Sequence, residues 1–124
     1  MIDLRKYFTH VIDINELPPS SDNDEHSVIV HFNSGFDELE QIHKLEDKLV
    51  DCLKDSNVGW WDGHEVAMDN SEGWIFLYGQ NAESLFKKVQ PILKNSDLMK
   101  GAIANLQFGP PAPGESVSEI NVEI

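Results

Sequence analysis

Cysteine is almost missing from this chain. Cys52 stands alone among 124 residues, which excludes an internal disulfide and with it the stapled framework of a small oxidised domain. Lysine and arginine are scarce too, 9 against 22 aspartates and glutamates, for a formal net charge of −13. A field of that sign repels phosphates, so it speaks against nucleic acid and against an anionic membrane surface. No uninterrupted apolar run approaches the roughly 18 residues a bilayer span needs. The opening stretch Met1 to His10 also lacks the apolar block of a secretory signal, and the expected location is the cytoplasm. Catalytic signatures are missing as well: there is no glycine-rich phosphate loop, no GxSxG and no HExxH. The chain is therefore expected to be non-enzymatic and to need no cofactor or metal.

What is present is a period that changes repeatedly between Ser27 and Phe108. Ser27 to Phe32 alternates, with Val28, Val30 and Phe32 on one side and Ile29 and His31 on the other, as a half-buried strand does. After Asn33-Ser34-Gly35, the residues Leu39, Ile42, Leu45, Leu49, Cys52 and Leu53 recur at helical steps. They predict a helix over Phe36 to Leu53, capped by Asn33 or Ser34 and opened by acids that suit its dipole. The second half of Val58 to Met68 reads as a short strand, and Asp69 to Glu72 as a turn. Gly73 to Tyr78 alternates strictly, Trp74, Phe76 and Tyr78 against Ile75 and Leu77. Asn81 caps a second helix carrying Leu85, Phe86, Val89, Ile92 and Leu93, in which Pro91 should kink the last turn or start a new one. Gly101 to Phe108 is a further strand, and Val117 to Ile124 alternates weakly as a last one.

Strand, helix, strand, strand, helix, strand is the order of an α+β, ferredoxin-like split βαβ domain. It implies an antiparallel sheet with two helices on one face, here with an extra C-terminal strand. The chain is read as one domain, 1–124, with a core over 26–124. Residues 1–25 form an N-terminal extension in which 1–17 fit either helix or strand and Pro18 to Glu25 is a polar linker.

Asp62, His64 and Glu65, together with His31, are the residues whose chemistry could suit a metal or acid–base work. Their spacing does not favour it: Asp62-Gly63 is a turn dipeptide, and neighbours 64 and 65 on a strand point to opposite faces. Cys52 sits on an apolar helical stripe, where a free thiol behaves as a small hydrophobe. The aromatics Trp74, Phe76 and Tyr78 alternate as they do where RNA-recognition sheets stack bases, yet no basic footprint accompanies them. They either fill the core or, if Ile75 and Leu77 point inward, form an exposed patch that calls for a partner.

Residues Ile42 to Leu49, Asp62-Gly63-His64-Glu65, Tyr78-Gly79, Pro91-Ile92-Leu93 and Leu106 to Pro110, in that order, resemble a family of small bacterial α+β proteins over Glu38 to Pro111. The resemblance implies a compact α+β domain, possible membership among immunity-type proteins, and no catalytic residue to carry over.

A protein-binding surface is the remaining candidate. Trp60 and Trp61 are adjacent in a glycine-flanked segment, and tryptophan is enriched at binding hot spots. Glu46, Asp47, Asp51, Asp55, Asp62, Glu65 and Asp69 crowd the same region, with His64 and Trp74 close by in sequence, although helix acids commonly do no more than solvate an outer face. Aromatics ringed by acids suit an immunity-type inhibitor of a basic toxin such as a nuclease. Charge would speed capture and buried aromatics would slow release. The alternatives are a self-associating or ligand-responsive module, which would form a homodimer through its open sheet face, and an enzyme using His64 with Glu65 or Asp62.

Overall fold

The computed structural model describes residues 11–12, 26–33, 39–109 and 119–124. In chain order the elements are β1 (Val11–Ile12), β2 (His26–Phe32), α1 (Glu40–Leu53), β3 (Trp60–Val66), β4 (Gly73–Gly79), α2 (Ala82–Lys94), a 3₁₀ turn (Asp97–Met99), β5 (Ile103–Gln107) and β6 (Glu119–Glu123). The sheet order is β1-β6-β5-β2-β4-β3. Its centre is the ferredoxin-like unit: β2 pairs antiparallel with both β4 and β5, and β3 pairs antiparallel with β4. Each βαβ crossover is therefore split by a strand from the other half. The expected C-terminal strand is present as β6, antiparallel to β5. The sequence did not resolve β1, which adds in parallel to β6.

Both helices lie on one face of the sheet, and apolar burial drives their placement. Val28, Val30 and Phe32 of β2, Ile75 and Leu77 of β4, and Ala104 and Leu106 of β5 are buried, and so are the stripes Ile42, Leu45, Leu49, Leu53 of α1 and Leu85, Phe86, Val89, Leu93 of α2. Registered pairs such as Val28 with Leu77 and Val30 with Ile75 put these side chains on the same side. Cys52 is half-buried at the contact between the helices, its thiol 3.7 Å from the Lys88 carbonyl oxygen.

Several local expectations change. Helix α1 is described from Glu40, behind Leu39, which makes no side-chain cap hydrogen bond; the expected start at Phe36 and the expected cap at Ser34 fall in a stretch outside the described residues. Strand β3 reaches back to Trp60 because its first half pairs with Tyr78 and Leu77. Helix α2 is capped as expected, Asn81 Oδ1 accepting from the Ser84 N–H at 3.0 Å. Pro91 does not end it: the helix runs on to Lys94. Proline sits near the C-terminal end on the exposed side and has no N–H to give the Lys87 carbonyl one turn earlier; Lys87 is exposed too, so water can reach that acceptor. A buried histidine joins the two halves, His26 Nδ1 accepting the Ala82 N–H at the start of α2 at 2.9 Å.

Candidate functional site

Alternation places the aromatics of β4 opposite the helices. With Ile75 and Leu77 buried in the core, Trp74, Phe76 and Tyr78 occupy the other face, half-buried, beside Ile29 and His31 of β2. No described helix covers this face. His31 stacks on Trp74, ring centroids 4.7 Å apart and nearly parallel, and its Nε2 lies 3.1 Å from Glu72 Oε2. Trp60, 52 % exposed, tilts over Tyr78 at 6.2 Å. Across β5 and β6 the same face carries a chain of amides, in which Ser27 donates to Gln107, Gln107 to Asn105, and Asn105 to Asn121, beside Ile103, which by register shares this face and is buried, as is Ser27. Between the aromatic and amide halves lies a concavity of about 480 Å³ lined by Ile29, His31, Glu65, Trp74, Phe76, Asn105 and Glu119.

Charge is distributed unevenly over the same frame. None of the six strands contains lysine or arginine, whereas β3 and β6 carry Asp62, Glu65, Glu119 and Glu123. The described lysines all lie on the helices, at their ends or in the turn that follows: Lys44, Lys48, Lys54, Lys87, Lys88, Lys94 and Lys100. The sheet face is thus an aromatic surface with an acidic edge and no fixed cation among its described residues.

A β-bulge controls what β3 presents to each side. The register passes from Trp61 opposite Leu77 to Gly63 opposite Phe76, so Asp62 is the extra residue. Gly63 adopts φ 121°, a conformation that L side chains rarely take, and this lets the strand swivel. The swivel puts Trp61 and His64, three residues apart, on the helix side together, while Trp60 and Glu65 stay on the open face.

Beneath the bulge, Trp61 and His64 meet Glu46 of α1. Glu46 is only 4 % exposed. Trp61 Nε1 donates to its Oε2 at 2.6 Å, and His64 Nδ1 lies 2.8 Å from Oε1 and 3.0 Å from Oε2. His43, one helical turn earlier on α1 and exposed, brings its ring centroid within 5.8 Å of that of His64.

The expected site residues therefore separate into three groups. Glu46, Trp61 and His64 form a cluster in which Glu46 is buried, and so no surface acid, while Trp61 and His64 are half-buried. Trp60, Glu65 and Trp74 share the open face, with Asp62 exposed on the bulge at its edge. Asp47 and Asp51 are exposed on α1, on the opposite side of the sheet from Trp74. Asp51 pairs with Lys54 at 3.3 Å, and Asp55 is exposed in the turn that follows. Asp69 is exposed in the β3–β4 turn, where the hydroxyl and then the backbone N–H of Ser71 hold its carboxyl below the usual carboxylate range. His64 and Glu65 point to opposite faces, as their adjacency predicts. The sequence did hold a signal for Glu46, which falls four residues after Ile42 and three before Leu49 on the apolar stripe.

Comparison with protein-family models, with curated proteins and with solved structures finds no match to this chain. Among the described residues no helix is long and apolar enough to cross a membrane.

Proposed function

We propose that this chain is a non-enzymatic binding protein of the cytoplasm, an immunity-type inhibitor that docks a basic protein, such as a nuclease toxin, on its open sheet face. The observation that carries the reading is the position of Trp74, Phe76 and Tyr78 on the face away from the helices, edged by Glu65, Glu119 and Glu123. Aromatic anchors give a docking surface its slow release, and a single-signed acidic edge selects and steers a cationic partner. The concavity between Trp74, Phe76, Glu65 and Glu119 suits a lysine or arginine side chain, with carboxylates to accept its N–H groups and aromatic surface to cover its stem. Membership of the small bacterial family that the motifs resemble belongs to the same proposal.

The alternative of a homodimer joined face to face is less well supported. Two copies would bring Glu65, Glu119 and Glu123 of each against the same acids of the other, with no lysine or arginine on either described face to offset them. The test is capture from the source cells on the tagged chain at low salt, followed by release at high salt. The proposal expects one basic protein in near-equal amount, inactive while bound and active once released, and a monomeric chain by sedimentation in its absence. A dimer without any partner, or a captured protein whose activity is the same bound and free, would overturn it.

A further inference from the structure

We infer that the seam between α1 and β3 is a binding site for one divalent transition-metal ion, zinc in the first instance, held by His43, Glu46 and His64. In the sequence the residue types that could suit a metal were Asp62, His64, Glu65 and His31, at a spacing that did not favour one; the decisive donors His43 and Glu46 come from the helix. His43 and Glu46 stand three residues apart on α1, one turn of one face, and the bulge at Asp62 turns His64 toward them. One ligand atom from each of the three lies within 4.8 Å of the others. Two ligands about 2.1 Å from a tetrahedral zinc ion are roughly 3.4 Å apart. The separations of 2.8 and 3.0 Å between His64 Nδ1 and the Glu46 oxygens need only a small opening to admit one. His43 is exposed and can rotate toward it.

The donor chemistry selects the metal class. Two imidazoles and one carboxylate suit zinc and its transition-metal neighbours, whereas calcium and magnesium prefer all-oxygen shells. The burial of Glu46 adds to the driving force: among the described residues the indole of Trp61 and the imidazole of His64 meet its carboxylate and no lysine or arginine is shown in ion-pair contact with it, so a bound cation would offset its charge more fully. Trp61 completes the arrangement: its N–H fixes Oε2, which orients the carboxylate and leaves Oε1 to coordinate, in the manner of an outer-shell partner. Three protein ligands leave a position open toward the exposed His43 side for water. The site lies on the opposite side of the sheet from the aromatic face, so it stands or falls independently of the docking proposal.

The test is a titration of the full, chelator-treated chain with Zn²⁺ alone, read by calorimetry, together with the visible absorption of the Co²⁺-loaded chain. One saturable equivalent is expected, with the d–d bands of a four- or five-coordinate cobalt site. His43→Ala removes an exposed side chain whose ring contact is with His64, so the variant should fold, and its zinc affinity should fall at least about tenfold. His64→Ala should abolish the cobalt spectrum. An absence of saturable binding, or an affinity unchanged in His43→Ala, would overturn the site.

Discussion

A carboxylate removed from water costs several kcal/mol unless its oxygens are satisfied, and at Glu46 an indole and an imidazole do this together. The Trp61 hydrogen bond is charge-assisted and short, so Trp61→Phe, which keeps the aromatic volume, should lower unfolding stability by about 1.5–3 kcal/mol in urea denaturation at neutral pH. A loss within about 0.5 kcal/mol, typical of an ordinary surface change, would mean that the bond contributes little. At Asp69 the hydroxyl and backbone N–H of Ser71 hold the carboxyl below its usual range. Because the folded value is depressed, whatever the turn gains from this charge is present above the ordinary carboxylate range and is lost as pH falls through the folded value. Ser71→Ala should move the Asp69 titration, followed by carboxyl carbon NMR, upward toward the ordinary range. An unchanged titration would assign the shift to another group. Sequence placed both acids on one exposed candidate binding surface. That holds for Asp69 but not for Glu46, whose place on the apolar stripe distinguishes it.

At the scale of elements, the bulge in β3 decides more than any helix. Were Asp62 paired as an ordinary strand residue instead of bulging out, strict alternation would send Trp61 and His64, three residues apart, to opposite faces, and the cluster around Glu46 could not assemble. Gly63 permits the turn, so Gly63→Val should cost about 1–3 kcal/mol and should also separate His64 from Glu46. The second effect is visible as loss of nuclear Overhauser contacts between the His64 imidazole and the α1 side chains. Retention of that contact at full stability would show that the swivel does not depend on glycine. The alternation of β4 was legible in the sequence, but its orientation was not, because one strand cannot reveal which side faces the helices. Orientation follows from pairing: Val28 and Val30 of β2 meet Leu77 and Ile75 in register, and glycine at 73 and 79 occupies the helix-side positions at the ends. A Cβ at Gly79 would overlap the Val58 carbonyl oxygen. The order of the central elements could be read from the changes of period. The persistence of α2 through Pro91 and the addition of β1 could not, since each depends on tertiary partners rather than on local pattern.

Over the whole molecule, the helices cover one face of the sheet and hold the described lysines, while the other face presents aromatics with acids along its edges. The net charge of −13 was plain from composition; its segregation from the lysines emerges only when the strands are laid side by side. This polarity makes the docking claim specific to a surface. The direct measurement is the dissociation constant of the captured basic protein for three chains: the parent, an open-face variant combining Glu65→Lys with Trp74→Ala, and a helix-face variant combining Asp47→Lys with Asp51→Lys. Both variants alter exposed or half-exposed positions outside the buried Glu46 cluster, and the helix-face variant carries the larger change in net charge. The account predicts that the open-face variant weakens binding about a hundredfold or more, through loss of an aromatic anchor and a steering charge, while the helix-face variant stays within a few-fold of the parent. The reverse ranking, or equal weakening by both, would contradict the assignment of binding to the open sheet face.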